Sequence, residues 1–147
     1  MKILACGLIL AVAGALPATA QSGGQVTSGD ATNSQSTPTT TTINQVTDKV
    51  VIQWNDFSIA AGSAAVFNQP SATSIALNRV TGDAPSSILG SLQANGQVWI
   101  LNPNGILFGQ NATINVGALV ASTLSLSDED FHSGTYRLLQ DPSKAES

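Results

Sequence analysis

Between residues 43 and 127 the chain has almost no charged side chains. The only charged residues in this stretch are Asp48, Lys49, Asp56, Arg79 and Asp83. Charged residues make up 10% of the whole chain, whereas a typical soluble domain has about 25%. Asn, Gln, Ser and Thr therefore have to cover the surface of whatever structure this stretch forms.

Short runs of β-prone residues fill the same stretch, and Gly, Asn or Pro separates most of them. They predict strands at 49–54, 57–60, 64–68, 74–77, 97–101, 106–108, 112–116 and 118–122. Only residues 85–94 indicate a helical turn or two, because Ile88, Leu89 and Leu92 would share one face there. The strands are too short and too frequent for an α/β protein, in which helices must intervene.

Two all-β folds fit this pattern, a β-sandwich and a β-solenoid whose chain bends slightly every few residues. Stacked coils use Asn, Ser and Thr at their corners and need few charges, and each coil buries its apolar face only against its neighbours. No strict repeat period is visible in the sequence. The pattern alone therefore leaves both folds open.

Residues 1–20 have the pattern of a cleavable secretory signal peptide. Lys2 precedes an uncharged run from Ile3 to Leu16, and Ala18-Thr19-Ala20 forms a small-x-small cleavage site. The run is too short to span a bilayer, which takes about 20 residues, so we expect no stable membrane insertion. Cleavage after Ala20 would also remove Cys6, the only cysteine, and would leave a chain without disulfides.

The segments on either side of residues 43–131 are strongly polar. Half of residues 21–42 are Ser or Thr, and such a segment cannot offset its ordering entropy by burial. We predict a flexible leader there, ending in an extended Thr run at the start of the fold. Residues 132–147 are predicted to form a polar tail after a folded domain at 43–131.

The tetrapeptide Asn102-Pro103-Asn104-Gly105 lies between two predicted strands and indicates a tight turn. Proline fixes φ at about −65° at the second position, and Asn-Gly tolerates the left-handed backbone that follows. The Asn side chains can also hydrogen-bond neighbouring backbone and so close a sharp corner.

In its context this turn is part of a longer resemblance. The run LNRVTGDAPSSILGSLQANGQVWILNPNGILFGQNATINVGALVAST resembles the secretion domain of filamentous-haemagglutinin-like exoproteins, which are exported by two-partner secretion. The resemblance begins with VIQWNDFSI near Val50 and reaches SLSDEDF at 125–131. It implies a right-handed parallel β-helix and a haemagglutinin-like adhesin. It also implies export through the periplasm of a Gram-negative-type bacterium to its surface or medium.

The resemblance also implies a partner, an outer-membrane β-barrel transporter whose periplasmic modules recognise the domain. The residues that match the family's NPNGI motif are Asn102, Pro103, Asn104, Gly105 and Ile106. For this motif, a structural corner and a direct contact with the transporter both stay open. Asn78 and Arg79, in the LNRVTG segment, are candidate partner contacts, and Trp54 and Trp99 are expected to pack within or between coils.

Two departures from the family pattern limit this comparison. The NPNL motif of some members is replaced by Asn68-Gln69-Pro70-Ser71, so no site is assigned there. The sequence also stops at Ser147, shortly after the DEDF segment. We therefore expect a truncated β-helix, the front part of a longer exoprotein, and a remnant reading frame without its own function is an alternative.

Nothing in the sequence indicates an enzyme, a cofactor or a metal site. There is no G-x-S-x-G elbow and no phosphate-binding Gly loop, and the lone His132 is an ordinary polar-tail residue. The few basic residues are not enough for nucleic-acid binding. A carbohydrate-binding or polysaccharide-active β-helix, with a glycan or another host or cell-surface ligand, is a further alternative.

Overall fold

The computed structural model describes residues 24–140, which form twelve strands and one short helix. The predicted signal peptide and its cleavage site lie outside the described residues. Within residues 24–140 no helix is long and apolar enough to cross a membrane. The strands are β1 (Gln25–Ser28), β2 (Ala31–Thr37), β3 (Thr40–Gln45), β4 (Lys49–Trp54), β5 (Ala64–Asn68), β6 (Ile75–Val80), β7 (Ser86–Ile88), β8 (Ser91–Ala94), β9 (Gln97–Leu101), β10 (Ile106–Phe108), β11 (Thr113–Asn115) and β12 (Ala118–Ser122).

The chain winds through about four coils and places the strands of successive coils side by side. In the first sheet β4, β6, β9 and β12 are parallel neighbours. In the second sheet β3, β5, β8 and β11 are parallel neighbours, and β7 and β10 form a short third sheet. This is the parallel β-helix that the resemblance implied, and the β-sandwich is excluded.

The coils differ in length although their strands stay in register. Thr40, Ala64, Ser91 and Thr113 stand in line across the second sheet, at unequal intervals along the sequence. The coil that separates Ala64 from Ser91 is the longest of the three. The pairing fixes the strands, and the corners between them take up the additional residues. This variation explains why the sequence shows no strict repeat.

Alternate residues of the first sheet point to opposite sides, as the pleat of a strand requires. The inward row, which belongs to the interior core of the solenoid, includes Val50, Ala76 and Val98. The adjacent outward row forms a second apolar cluster and includes Val51, Leu77 and Trp99. Both faces of this sheet are therefore apolar, and the outer face needs a cover.

Residues 125–139, which we call the C-terminal strap, provide that cover. The strap contains the helix α1 (Asp128–Ser133), which begins at the N-cap Ser127 and ends at Gly134. Phe131 of this helix is fully buried and shares the outer cluster with Leu126. Reciprocal backbone hydrogen bonds between Ser125 and Leu139 hold the two ends of the strap together.

The prediction of a flexible leader is wrong for residues 25–37, which lie largely in β1 and β2, whereas the extended Thr run predicted at its end does begin the coils, as the start of β3. β2 pairs antiparallel with β3, and β1 pairs antiparallel with β4. Together they close the N-terminal end of the solenoid. Threonine favours strands, and its hydroxyl can bond across a ladder, as the 2.9 Å contact between Ser36 Oγ and Thr42 Oγ1 shows.

The helical turn predicted at 85–94 is also wrong, because this segment forms β7 and β8 with a bend between them. Ile88 and Leu92 are four residues apart and both fully buried, whereas Leu89 is partly exposed. A corner at Gly90 turns both inward, which reproduces a helical spacing without a helix. At 57–60 only Ile59 pairs, through an isolated bridge to Ile88, so no full strand forms there.

Candidate functional site

The NPNGI segment forms the corner at which the chain leaves β9 and enters β10. Asn102 is fully buried, and the four residues that follow it are partly exposed. Gly105 has a φ of 112°, a value that side chains with a Cβ rarely adopt. Its N–H donates to the carbonyl of Asn102 at 3.0 Å. The predicted sharp turn is therefore confirmed.

The side chain of Asn102 joins this corner to the coil beneath it. Its Nδ2 donates to the carbonyl of Ala84 at 3.1 Å and to Ser86 Oγ at 3.0 Å. Its Oδ1 accepts from the backbone N–H of Asn104 at 2.9 Å. The backbone N–H of Asn102 donates to the carbonyl of Ser122 in the coil above. One buried residue thus contacts three successive coils.

Asn104 adds a second connection from the same turn. Its Nδ2 donates to the carbonyl of Gly82 at 2.9 Å and to Asn102 Oδ1 at 3.1 Å. The carbonyl of Gly105 accepts from the N–H of Ser86 at 3.0 Å, at the point where Ile106 pairs with β7. The two asparagines therefore hydrogen-bond to carbonyls that would otherwise be unpaired in the corner below.

Asn78 is buried in the interior, so its side chain cannot contact a partner of the folded domain. Its Oδ1 accepts from Trp54 Nε1 at 2.8 Å, and its Nδ2 donates to the carbonyls of Ala76 and Trp99, both at 3.2 Å. A buried amide is tolerated in an apolar core only when it is hydrogen-bonded in this way. In the folded domain Asn78 is therefore an internal hydrogen-bonding residue, and its assignment as a partner contact stays a prediction.

Arg79 points outward from β6 and binds the C-terminal strap. Its Nη2 donates to the carbonyl of Leu126 at 2.6 Å, and its Nη1 lies 2.8 Å from Asp128 Oδ1. Arg79 stands in register with Leu101, the residue before the NPNGI corner, but its side chain turns to the strap. The guanidinium of Arg79 therefore makes an internal contact of the folded domain.

Sequence reasoning missed the role of Lys49, which binds the strap one coil further down. Its Nζ donates to the carbonyl of Phe131 at 2.9 Å and lies 5.0 Å from the ring centroid of Tyr136. Trp99 packs edge-to-face on the same tyrosine, with centroids 4.8 Å apart. A signal was available in the sequence. Lys49 and Trp99 each neighbour an inward residue of their strand, which places them on the outer face, and Tyr136 lies in the segment predicted as a polar tail.

Comparisons with known proteins agree with this geometry. A family model described as the TPS secretion domain matches residues 18–145. A heme/hemopexin-binding protein of Haemophilus influenzae is 47% identical over 85 residues, which are 58% of this chain and 9% of that protein. A second H. influenzae protein of the same description is 39% identical over 109 residues, which are 74% of this chain and 12% of that protein.

A solved structure is also similar, the crystal structure of the HMW1 secretion domain from Haemophilus influenzae. It superimposes with a TM-score of 0.79 at 35% sequence identity and covers 84% of this chain and 32% of that chain. The chain thus spans about a tenth of the curated relatives and about a third of the solved chain. The family match covers most of the sequence, and the chain belongs to the TPS (two-partner secretion) secretion-domain family.

Proposed function

We propose that this chain is the secretion-recognition domain of a two-partner-secretion exoprotein. In this proposal residues 1–20 direct the chain into the periplasm, and the periplasmic modules of an outer-membrane transporter capture it. The β-helix then forms at the cell surface. The observation that supports this most directly is the NPNGI corner, in which the family's motif joins three coils of the fold.

We propose that the motif acts when the exported chain folds at the surface, through the structure of the corner, rather than through direct contact with the transporter. Asn102 is fully buried, and its side-chain Nδ2 and Oδ1 both bond within the chain. Only Pro103, Asn104 and the residues after them have partly exposed surface. Arg79 would then assist secretion by fixing the strap. The role proposed for the domain as a whole is not enzymatic.

The exoprotein to which this domain belongs would have an adhesin-type role at the surface. The two relatives named heme/hemopexin-binding proteins align with this chain over 9% and 12% of their length. The ligands in their names are therefore not proposed for this domain. A host or cell-surface ligand would bind a part of the exoprotein other than this recognition domain.

An export assay in cells with and without the cognate transporter tests the proposal. We expect the protein in the medium only when the transporter is present. Asn102→Ala should reduce export strongly, because it removes bonds to the neighbouring coil and within the turn. Asn111→Ala is a matched control, since Asn111 is an exposed turn residue at the next corner along the chain.

Stability measured on the same purified variants separates the two readings of the motif. If the corner is structural, the loss of export should follow the loss in free energy of unfolding across the three variants Asn102→Ala, Asn104→Ala and Asn111→Ala. Loss of export by Asn104→Ala at unchanged stability would instead indicate a direct transporter contact. Equal export with and without the transporter would refute the proposed function.

A further inference from the structure

Both ends of β9 carry an Asn-Gly pair. Asn95-Gly96 precedes the strand, and Asn104-Gly105 follows it in the NPNGI corner. These are the only two Asn-Gly pairs in the sequence. An asparagine before a glycine is especially prone to lose its side-chain amide, because glycine has no Cβ to hinder the approach of its backbone nitrogen. The two corners that flank β9 therefore share a chemically labile sequence.

We propose that Asn95 and Asn104 are sites of spontaneous deamidation in the unfolded chain, and that folding blocks the reaction at both. In this reaction the backbone nitrogen of the glycine loses its proton and bonds to Cγ of the asparagine. The Cγ–Nδ2 bond breaks, and the amide nitrogen takes up a proton and leaves as ammonia. Water then opens the resulting succinimide ring at either carbonyl, which gives aspartate or isoaspartate. No oxidant, cofactor or enzyme is needed.

At the NPNGI corner the fold holds both reacting groups. The N–H of Gly105, whose nitrogen is the nucleophile, donates to the carbonyl of Asn102 at 3.0 Å. The amide of Asn104 reaches the coil below, where its Nδ2 donates to the carbonyl of Gly82 at 2.9 Å. The same Nδ2 donates to Asn102 Oδ1 at 3.1 Å. Ring closure therefore needs a local opening of the corner that breaks these bonds together.

At the other end of β9, Gln69 of the coil below holds the second pair. Asn95 Oδ1 accepts from the backbone N–H of Gln69, and Asn95 Nδ2 donates to the carbonyl of Gln69, both at 2.8 Å. The N–H of Gly96 donates to Gln69 Oε1, also at 2.8 Å. Asn95 is exposed, so these three bonds, rather than burial, would protect it. A single residue thus binds both the amide and the attacking nitrogen.

Deamidation before folding would damage the corner. The ionised aspartate formed from Asn104 has only acceptor oxygens, and these would face the carbonyl of Gly82 and Oδ1 of Asn102. Isoaspartate would in addition lengthen the main chain of the turn by one carbon. A chain that stays unfolded for too long would therefore lose the ability to close the corners of β9. For export, this limits the time between synthesis and folding, a consequence that rests on the proposed function.

Peptide mapping by mass spectrometry on the purified protein tests the reaction. The folded protein and the same protein unfolded in guanidinium chloride are incubated in mildly alkaline buffer, which favours loss of the glycine proton. We expect both asparagines to convert roughly tenfold faster or more when unfolded, because only the open fraction of folded molecules can react. Asn111 is exposed and precedes Ala112, so it is the internal control and should convert slowly in both states.

Two outcomes of this mapping would overturn the proposal. One is an equal rate of conversion at Asn104 in the folded and the unfolded protein. The other is conversion of Asn111 as fast as that of Asn104 in the unfolded protein, which would show that the glycine does not make the site.

Two variants test whether the observed hydrogen bonds give the protection. Gln69→Ala removes the acceptor of the Gly96 N–H, and Asn102→Ala removes an acceptor of the Asn104 amide. In variants that circular dichroism shows to be folded, we expect Gln69→Ala to lower the ratio of conversion at Asn104 to conversion at Asn95. Asn102→Ala should raise that ratio. A general loss of stability would move both variants toward the ratio of the unfolded chain, so equal ratios would refute the role of these bonds.

Refolding tests the damage. After removal of the guanidinium chloride, converted chains should be enriched in the fraction that does not refold, and equal proportions in both fractions would contradict the expected loss. These assays include no transporter, so a failure of the proposed function would leave their outcome unchanged.

Discussion

At the scale of single residues, two asparagines stand out among the buried polar side chains of this domain. Asn102 and Asn78 are both fully buried and each is hydrogen-bonded to neighbouring strands or coils. A net gain of about 1 kcal/mol for a hydrogen bond is small. The larger effect is the cost of leaving several buried partners unpaired when either amide is removed. The contribution of these two residues to stability therefore comes from their buried position in the coil and not from any exposed surface.

Gly105→Ala should lower the free energy of unfolding through the backbone alone. The nearest atom to a Cβ added there is Pro85 Cβ at 3.9 Å, so no clash arises. The φ of 112° would cost a residue with a Cβ about 1–3 kcal/mol. This exceeds the roughly 0.4–1 kcal/mol that alanine gains by restricting the unfolded chain.

Urea unfolding followed by circular dichroism measures this difference. Gly105→Asn is the control, because asparagine is several-fold enriched among non-glycine residues with positive φ and should lose less stability. Equal or higher stability of the alanine variant would show that the turn does not depend on the conformation of Gly105.

At the scale of strands and helices, the sequence predicted strands where short β-prone runs are separated by Gly, Asn or Pro. The bounds of β4, β5, β9, β10 and β12 coincide with predicted runs. The Ser/Thr-rich β2 was missed because nothing in its composition distinguishes a polar capping strand from a flexible leader. Ile88 and Leu92 were misassigned because a corner between short strands reproduces helical spacing. The bonds of the NPNGI corner to Gly82, Ala84 and Ser86 depend on which coil lies below, which local patterns do not encode.

Phe131→Ala should destabilise the protein by about 3–5 kcal/mol, as is usual for a fully buried phenylalanine. Phe131 lies 5.9 Å from the ring of Trp99, so the variant should also expose that indole and shift its emission to longer wavelength. Trp54, inside the solenoid, should be unaffected.

Leu107→Ala is the control for the strap, because Leu107 is 59% exposed and should change stability by less than about 0.5 kcal/mol. Thermal unfolding and tryptophan fluorescence measure both effects. If Phe131→Ala unfolds like the wild type, the strap does not contribute to the stability of the sheet.

At the scale of the whole molecule, the strap makes separate coils depend on one another. His132 Nε2 lies 2.6 Å from Ser28 Oγ, a contact between residues 104 positions apart. Between these ends the strap also binds β4 through Lys49 and β6 through Arg79. Such a cover can form only after the coils beneath it are in place, so the strap should order late in folding.

Phe131→Ala should therefore accelerate unfolding while leaving the refolding rate nearly unchanged. Interactions that are absent from the transition state affect the unfolding rate alone. A loss of about 3 kcal/mol would raise that rate by roughly a hundredfold. Stopped-flow fluorescence across denaturant concentrations measures both rates, and a refolding rate that falls in proportion to stability would place the strap in the folding nucleus.

The unequal coils also determine where this scaffold can accept new sequence. Coils of different length keep the same strand register, so the corners tolerate insertions that the strands would not. Gly62, at one such corner, has a φ of 84° and open space around it. A peptide grafted there would be displayed at a fixed height along the rod without disturbing the neighbouring strands. The domain can therefore serve as a rigid support for foreign epitopes, with the spacing between two grafts set by the number of coils that separate them.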